Sequence, residues 1–173
     1  MKNTILFTTS LLFIHATLIS WDKKNDPADD AREAKVLIVG LNDNVKSNYY
    51  YNEQIASETG MKTDSIDQQY NDIIARNIAG ATISSPCKFV SGNSDPGYEQ
   101  LIGKIEVKGE GESCTSSLSN ISAEELQQVL AHAHADYLLV LNQHYLKWQE
   151  QPMRTVYHMV SYTLYNKEKK QLY

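Results

Sequence analysis

The segment from Ala135 to Leu141, with the sequence ADYLLVL, constrains the fold of this chain more than any other stretch. Its apolar residues are consecutive rather than alternating with polar ones, which predicts a strand covered on both faces. A helical pattern beginning at Ser122 precedes it, and an alternating apolar–polar segment from Thr155 to Tyr165 follows it. We therefore expect residues 135–141 to form the central strand of a sheet that carries helices.

The upstream segments extend this pattern to an α/β fold. A helix over residues 65–79 is indicated by a capping box at Ser65 and Gln68 and by apolar residues at helical spacing. Right-handed crossovers make the first three strands parallel, whereas the last strand returns antiparallel as a C-terminal hairpin. We predict a β-α-β-α-β-β chain with a mostly parallel sheet and helices packed on it. The predicted strand order across the sheet is 87–91, 35–41, 135–141 and 155–165.

The first twenty residues have the pattern of an export signal. A weakly basic start is followed by a mostly apolar stretch without acidic residues, too short and too interrupted for a membrane span. A membrane anchor or a buried N-terminal helix shares part of this pattern. We expect a signal peptide at residues 1–20, a flexible linker at 21–34, and one domain at 35–173 with an insertion at about 92–119. The mature protein would then lie in the periplasm or outside the cell, without a transmembrane span.

Two cysteines, Cys87 and Cys114, bear on the compartment. In an exported protein an even pair predicts a disulfide, which would close the predicted insertion onto the domain. The alternative is two buried thiols. We expect the disulfide, conditional on export.

The charge of the chain restricts its partners. Removing Lys2 with the signal leaves 15 basic residues (16 − 1) against 21 acidic residues, a net charge of −6. An acidic domain is unsuited to nucleic acid and to anionic membrane surfaces. The charge restricts the partners no further. Because edge strands recruit partners, we expect any protein partner to bind through the C-terminal edge strand or a Tyr-rich face.

His144 and His158 are the most specific candidates for chemistry. They are equidistant from Gln151, so a symmetric hairpin would place them directly opposite each other, close enough to share a metal ion. The alternative is a core histidine with satisfied hydrogen bonds, because His158 belongs to the apolar side of its strand. No third ligand is evident, and we expect no cofactor.

Asn42, Asp43 and Asn44 follow the first predicted strand. They lie at the carboxyl edge, where parallel α/β sheets bind ligands. Such residues are also common in turns for backbone reasons alone. We treat them as candidate ligand-edge residues with both explanations open.

The late strand and the hairpin carry a resemblance. Ala135-Asp136-Tyr137 leads into a hairpin that ends in Leu164-Tyr165-Asn166 and a short basic turn. This arrangement resembles the periplasmic domain of curli-type secretion lipoproteins and the N-terminal domain of the Tol-system propeller protein. The resemblance implies a non-catalytic binding or assembly role in the bacterial envelope, with a protein or another envelope component as partner. The alternative function is a periplasmic metal-binding protein or small enzyme that uses His144 and His158.

Overall fold

The computed structural model describes residues 33–81, 87–93, 95–109 and 113–173. Glu33–Tyr173 form one compact unit. The predicted signal peptide and all but the last two residues of the predicted linker lie outside the described residues. Among the described helices, none is long and apolar enough to cross a membrane.

The predicted α/β fold is confirmed, with additional short elements. Two single turns of 3-10 helix, at Thr63–Ser65 and Pro96–Tyr98, precede two of the helices. The helices are α1 Asn52–Thr59, α2 Ile66–Ala81, α3 Glu99–Lys104 and α4 Ala123–His132. The strands are β1 Ala34–Gly40, β2 Val45–Ser47, β3 Cys87–Ser91, β4 Glu106–Lys108, β5 Thr115–Ser117, β6 Tyr137–Gln149 and β7 Thr155–Asn166.

Strand β6 is the centre of the main sheet, as its apolar sequence predicted. Its first half pairs in parallel with β1, which pairs in parallel with β3, and β7 pairs antiparallel along the opposite side of β6. The predicted strand order is therefore confirmed. The sequence did not predict β2, which follows β1 and pairs in parallel with the second half of β6, where Val45 is opposite His144.

Helices cover both faces of the sheet. On one face, α3 and α4 pack on β1 and β6 through Leu101, Leu126 and Leu130. On the other face, α2 packs on the same strands, and α1 extends this layer beneath the second half of β6. The segment predicted as an insertion supplies core residues to the first layer, including Leu118, because α3 and the β4–β5 hairpin belong to that layer.

The start of α4 shows how local sequence sets a helix boundary. Ser122 has an extended backbone, and its hydroxyl accepts a hydrogen bond from the Glu125 N–H at 3.0 Å. This satisfies one of the backbone donors that a helix start leaves without an intrahelical partner. The start of the helical pattern predicted at Ser122 is therefore confirmed.

The predicted disulfide is wrong, because Cys87 and Cys114 are not joined to each other. Cys87 pairs with Ala34, which precedes Val36 by two residues, and Val36 pairs with Tyr137, the first residue of β6. Cys114 instead contacts Gln143, with Sγ and Oε1 3.0 Å apart. Along the sheet, the position of Cys87 and the position of Gln143 are therefore eight residues of strand apart, or roughly 25 Å. A disulfide requires Cα atoms within about 7 Å of each other.

Candidate functional site

A cavity of about 380 Å³ lies at the carboxyl end of β1, between the main sheet and the β4–β5 hairpin. The three predicted edge residues form part of its lining. This is the position where parallel α/β sheets bind ligands, because loops diverge there and leave space. The lining residues are Asn42, Asp43, Asn44, Lys46, Val107, Gly109, Cys114, Asn142, Gln143 and Tyr145.

A bulge in β6 brings two amides to this cavity. The β6–β7 register shifts between Leu141 and Gln143, so Asn142 is an extra residue in the strand. Consecutive residues normally point to opposite faces of a sheet, yet Asn142 and Gln143 both line the cavity. The Asn142 amide nitrogen donates to the Cys114 carbonyl at 3.0 Å and to the Thr163 hydroxyl at 2.8 Å.

The loop between β1 and β2 is held in place by side chains of α2. The Asp67 carboxylate, in the first turn of that helix, accepts hydrogen bonds from the backbone N–H groups of Asp43 and Val45 at 3.1 and 2.9 Å. Asp43 has a positive φ of 51°, which Asp tolerates better than most residues. Asn44 is buried, and its amide nitrogen donates to the Leu141 carbonyl at 3.1 Å. The loop is therefore ordered by hydrogen bonds before any ligand binds.

Two of the amide oxygens in this region are buried without a donor. Among the described residues, none donates a hydrogen bond to Oδ1 of Asn44 or to Oδ1 of Asn142. Their side chains are only 3% and 1% exposed. A buried acceptor without a donor costs about 1–3 kcal/mol of stability, so both positions carry a cost that an apolar residue would avoid.

A second group of polar side chains lies on the α2 face of the sheet and is connected to the first through Asn44. Asn71 donates from its amide nitrogen to the Leu41 carbonyl at 3.1 Å, so its oxygen is the acceptor. That oxygen accepts from the Asn44 amide at 2.9 Å and from His144 Nε2 at 2.8 Å. His144 Nδ1 and His158 Nε2 are 3.1 Å apart.

These contacts determine the histidine tautomers. Because the Asn71 oxygen can only accept, His144 carries its proton on Nε2, and neutral His144 then accepts at Nδ1 from the Nε2–H of His158. Burial, with a contribution from neighbouring His158, lowers the pKa of His144 from 6.5 to about 3. Burial also lowers the pKa of His158. Both rings are therefore neutral near pH 7.

The histidines meet through a different register from the one predicted. His144 is opposite Val160 and His158 is opposite Leu146, so the pairing is centred on Pro152 rather than on Gln151. The directly opposed arrangement is wrong, but the displacement of two residues keeps both rings on one face as diagonal neighbours.

The side-chain amides of Asn71, Asn142 and Gln143 are among the residues of these groups that were not predicted. The two β6 amides directly follow the central apolar run, and that interruption was the available signal. Asn71 was missed because the apolar stripe predicted for this helix included Ile73, which is 36% exposed, whereas α2 is rotated so that Asn71 is buried. The rotation depends on Gly40, where a Cβ atom would lie 2.0 Å from the Asn71 Cγ.

The chemistry available here is mainly neutral hydrogen bonding. The described residues contain no group of three His, Cys, Asp or Glu side chains that could hold a metal ion. The cavity lining offers several amides, a tyrosine, one carboxylate and one ammonium group. Comparisons with protein-family models, with curated proteins and with solved structures found no match for this chain.

Proposed function

We propose that this protein is an exported, non-catalytic binding domain and that a neutral polar ligand occupies the cavity at the carboxyl edge. The observation that carries the proposal is the convergence of the ordered β1–β2 loop and the β6 bulge on one cavity. Export rests on the signal-like pattern of residues 1–20. The resemblance to curli-type and Tol-system domains supports placing the ligand in the bacterial envelope.

The lining favours a ligand that both donates and accepts hydrogen bonds. Asn42 contributes both ends of its amide, and Gln143 contributes the donor end of its own. Asn44 and Asn142 contribute only acceptor oxygens, because each amide nitrogen already donates two hydrogen bonds within the protein. Tyr145 adds an aromatic ring beside them. Hydroxyl and acetamide groups match these amides, and a cavity of this size suits a small ligand or one sugar unit of a longer glycan.

The contacts of His144 and Cys114 favour binding over catalysis by these two residues. Each imidazole nitrogen of His144 contacts a neighbouring side chain, Asn71 or His158, so the ring is not positioned to exchange protons in the cavity. The Cys114 Sγ lies 3.0 Å from the Gln143 amide oxygen, a contact in which the thiol is the donor. A thiol held in this contact is not the thiolate that a nucleophile requires.

A larger envelope partner would also meet exposed aromatic side chains at the far end of the β6–β7 hairpin. Tyr49 stacks on Trp148 with ring centroids 5.4 Å apart, and Tyr51, Tyr157 and Met153 are exposed. Tyr, Trp and Met are enriched in the contact surfaces of protein complexes. We propose these side chains as the Tyr-rich face through which a protein partner binds.

The test is a titration followed by nitrogen–proton NMR of the side-chain amide groups. Tri-N-acetylchitotriose is the probe, because it presents hydroxyl and acetamide groups together. We expect saturable shifts of the Asn44, Asn142 and Gln143 amide signals. A Gln143→Met variant should weaken the shifts, whereas the matched variant Gln128→Met, at an exposed position on α4, should leave them unchanged.

The outcomes separate the proposal from non-specific contact. No saturable shift at millimolar probe would overturn binding of a neutral polar ligand in this cavity. Equal weakening by Gln143→Met and Gln128→Met would show that the response does not come from the cavity lining.

A second candidate function is metal binding by His144 and His158, favoured by the 3.1 Å separation of their nitrogens. A metal would have to replace the hydrogen bond between the rings, and it would need further ligands from solvent. Calorimetry with zinc and copper tests this function in the wild type and in the double variant His144→Ala, His158→Ala. Micromolar binding that disappears in the double variant would establish the site, and no heat in either protein would reject it.

A further inference from the structure

Along most of its length, the outer edge of β7 has no neighbouring strand among the described residues. Near its end, the Leu164 N–H donates to the Tyr173 carbonyl at 3.0 Å and its carbonyl accepts from the Leu172 N–H at 2.8 Å, so both Leu164 groups point away from β6. The bulge lies in β6, and β7 itself is regular. Alternation along the strand therefore directs the N–H and C=O groups of four further residues outward. These are Val156, His158, Val160 and Tyr162, and β7 pairs with no described strand on that side of them.

The sheet edges differ in how they are protected against pairing. The edge strands β2 and β3 have only three and five residues, and each contains a lysine, Lys46 or Lys88. Strand β7 has twelve residues, TVYHMVSYTLYN, with no Asp, Glu, Lys, Arg or Pro. Short length, charge and proline are the usual means of preventing edge pairing. Strand β7 has none of them, so its edge is suited to adding another strand.

We propose that two copies of this protein associate through antiparallel pairing of their β7 strands, which joins the two main sheets into one. The part of the β7 edge that is available for pairing begins at the start of the strand. It ends before Leu164, whose backbone groups are hydrogen-bonded to the C-terminal residues. A two-fold axis that uses the whole stretch from Val156 to Tyr162 must pass beside Met159. This assembly goes beyond the proposed ligand function and does not depend on it.

The register that follows is self-consistent. With the two-fold axis beside Met159, each residue whose backbone groups point outward lies opposite such a residue of the other chain. The four residues thus form four pairs. Each pair exchanges two backbone hydrogen bonds, which gives about eight bonds in all. Val156 pairs with the partner's Tyr162, and His158 pairs with the partner's Val160. Pairs of aromatic and β-branched residues stabilise antiparallel strands. No charged side chain of β7 opposes another, and the two-fold arrangement covers both edges at once.

Sedimentation velocity and light scattering on the purified full chain test the assembly. We expect the mass of two chains. Met159→Lys should reduce it to one chain, because two like charges would then face each other across the axis. Gln128→Lys, at an exposed position on α4, is the matched control and should retain the two-chain mass. Circular dichroism shows whether the Met159→Lys protein is folded.

A cysteine experiment tests the register and does not rely on the lysine variant. At the axis, Met159 and the partner's Met159 form a non-hydrogen-bonded pair with Cα atoms about 4.5 Å apart, within disulfide range. Mild oxidation of Met159→Cys should give a covalent dimer that mass spectrometry maps to the introduced cysteine, whereas Gln128→Cys should not cross-link. A one-chain mass for the wild type, a two-chain mass for folded Met159→Lys, or no cross-link in Met159→Cys would each overturn the proposal.

Discussion

Acidification should destabilise this protein through His144, and the structure gives the size of the effect. Burial and neighbouring His158 hold the pKa of His144 at about 3, against 6.5 for an ordinary histidine. The unfolded chain therefore binds a proton at a pH where the folded chain does not. His144 costs no stability above about pH 6.5, and stability is lost progressively as the pH falls toward 3.

The magnitude follows from linkage. Between the two pKa values, one proton changes the free energy of unfolding by about 1.4 kcal/mol per pH unit. Lowering the pH from about 7.5 to about 4.5 therefore removes about 2.7 kcal/mol through His144 alone. That is a large share of the roughly 5–15 kcal/mol by which a typical domain is stable.

Urea unfolding of the wild type and of His144→Gln at both pH values isolates this contribution. Glutamine can still donate a hydrogen bond to the Asn71 oxygen, but it does not titrate. Carboxylates and His158 titrate in both proteins, so the difference between their losses reports His144. We expect the wild type to lose about 2–3 kcal/mol more than the variant. Equal losses in the two proteins would refute the assignment of His144 as a buried neutral histidine.

Three further predictions concern the fold. Gly40→Ala should lower the free energy of unfolding by about 1–3 kcal/mol in denaturant titration, because the added Cβ atom would overlap Asn71. Unchanged stability would show that the Asn71 side chain moves aside at no cost. In the same assay, Ser122→Ala should lower the free energy of unfolding by about 1 kcal/mol, because the α4 cap is lost, and Ser122→Gly should lower it by less. A larger loss of stability for the glycine variant would contradict the capping role. Thiol titration in denaturant without reductant should detect both Cys87 and Cys114, and reductant should leave the unfolding midpoint unchanged. A midpoint that falls on reduction would mean that a disulfide forms.

The sequence was most informative where one local pattern decides the structure. The consecutive apolar residues from Tyr137 to Leu141 can be stable only with both faces covered, and they form the centre of the sheet. The Ser122 cap was visible because a hydroxyl before a helix has a defined local role. The carboxyl-edge location of the cavity followed from parallel topology, since loops after parallel strands meet at one edge.

The candidate site itself was only partly predictable. Asn42, Asp43 and Asn44 were identified from their position after the first strand, and they line the cavity. The amides of Asn142 and Gln143 were not identified, because a bulge depends on how β6 pairs with a strand later in the chain.

The sequence alone thus determined the order of the main elements, the central strand and the edge at which a ligand would bind, because periodicity, capping and crossover handedness act over short stretches. Only the tertiary structure decided the hairpin register, the rotation of α2 against Gly40 and the separation of Cys87 from Cys114. These depend on contacts between residues far apart in the chain, where a displacement of one or two residues changes which side chains meet and leaves the local sequence pattern unchanged.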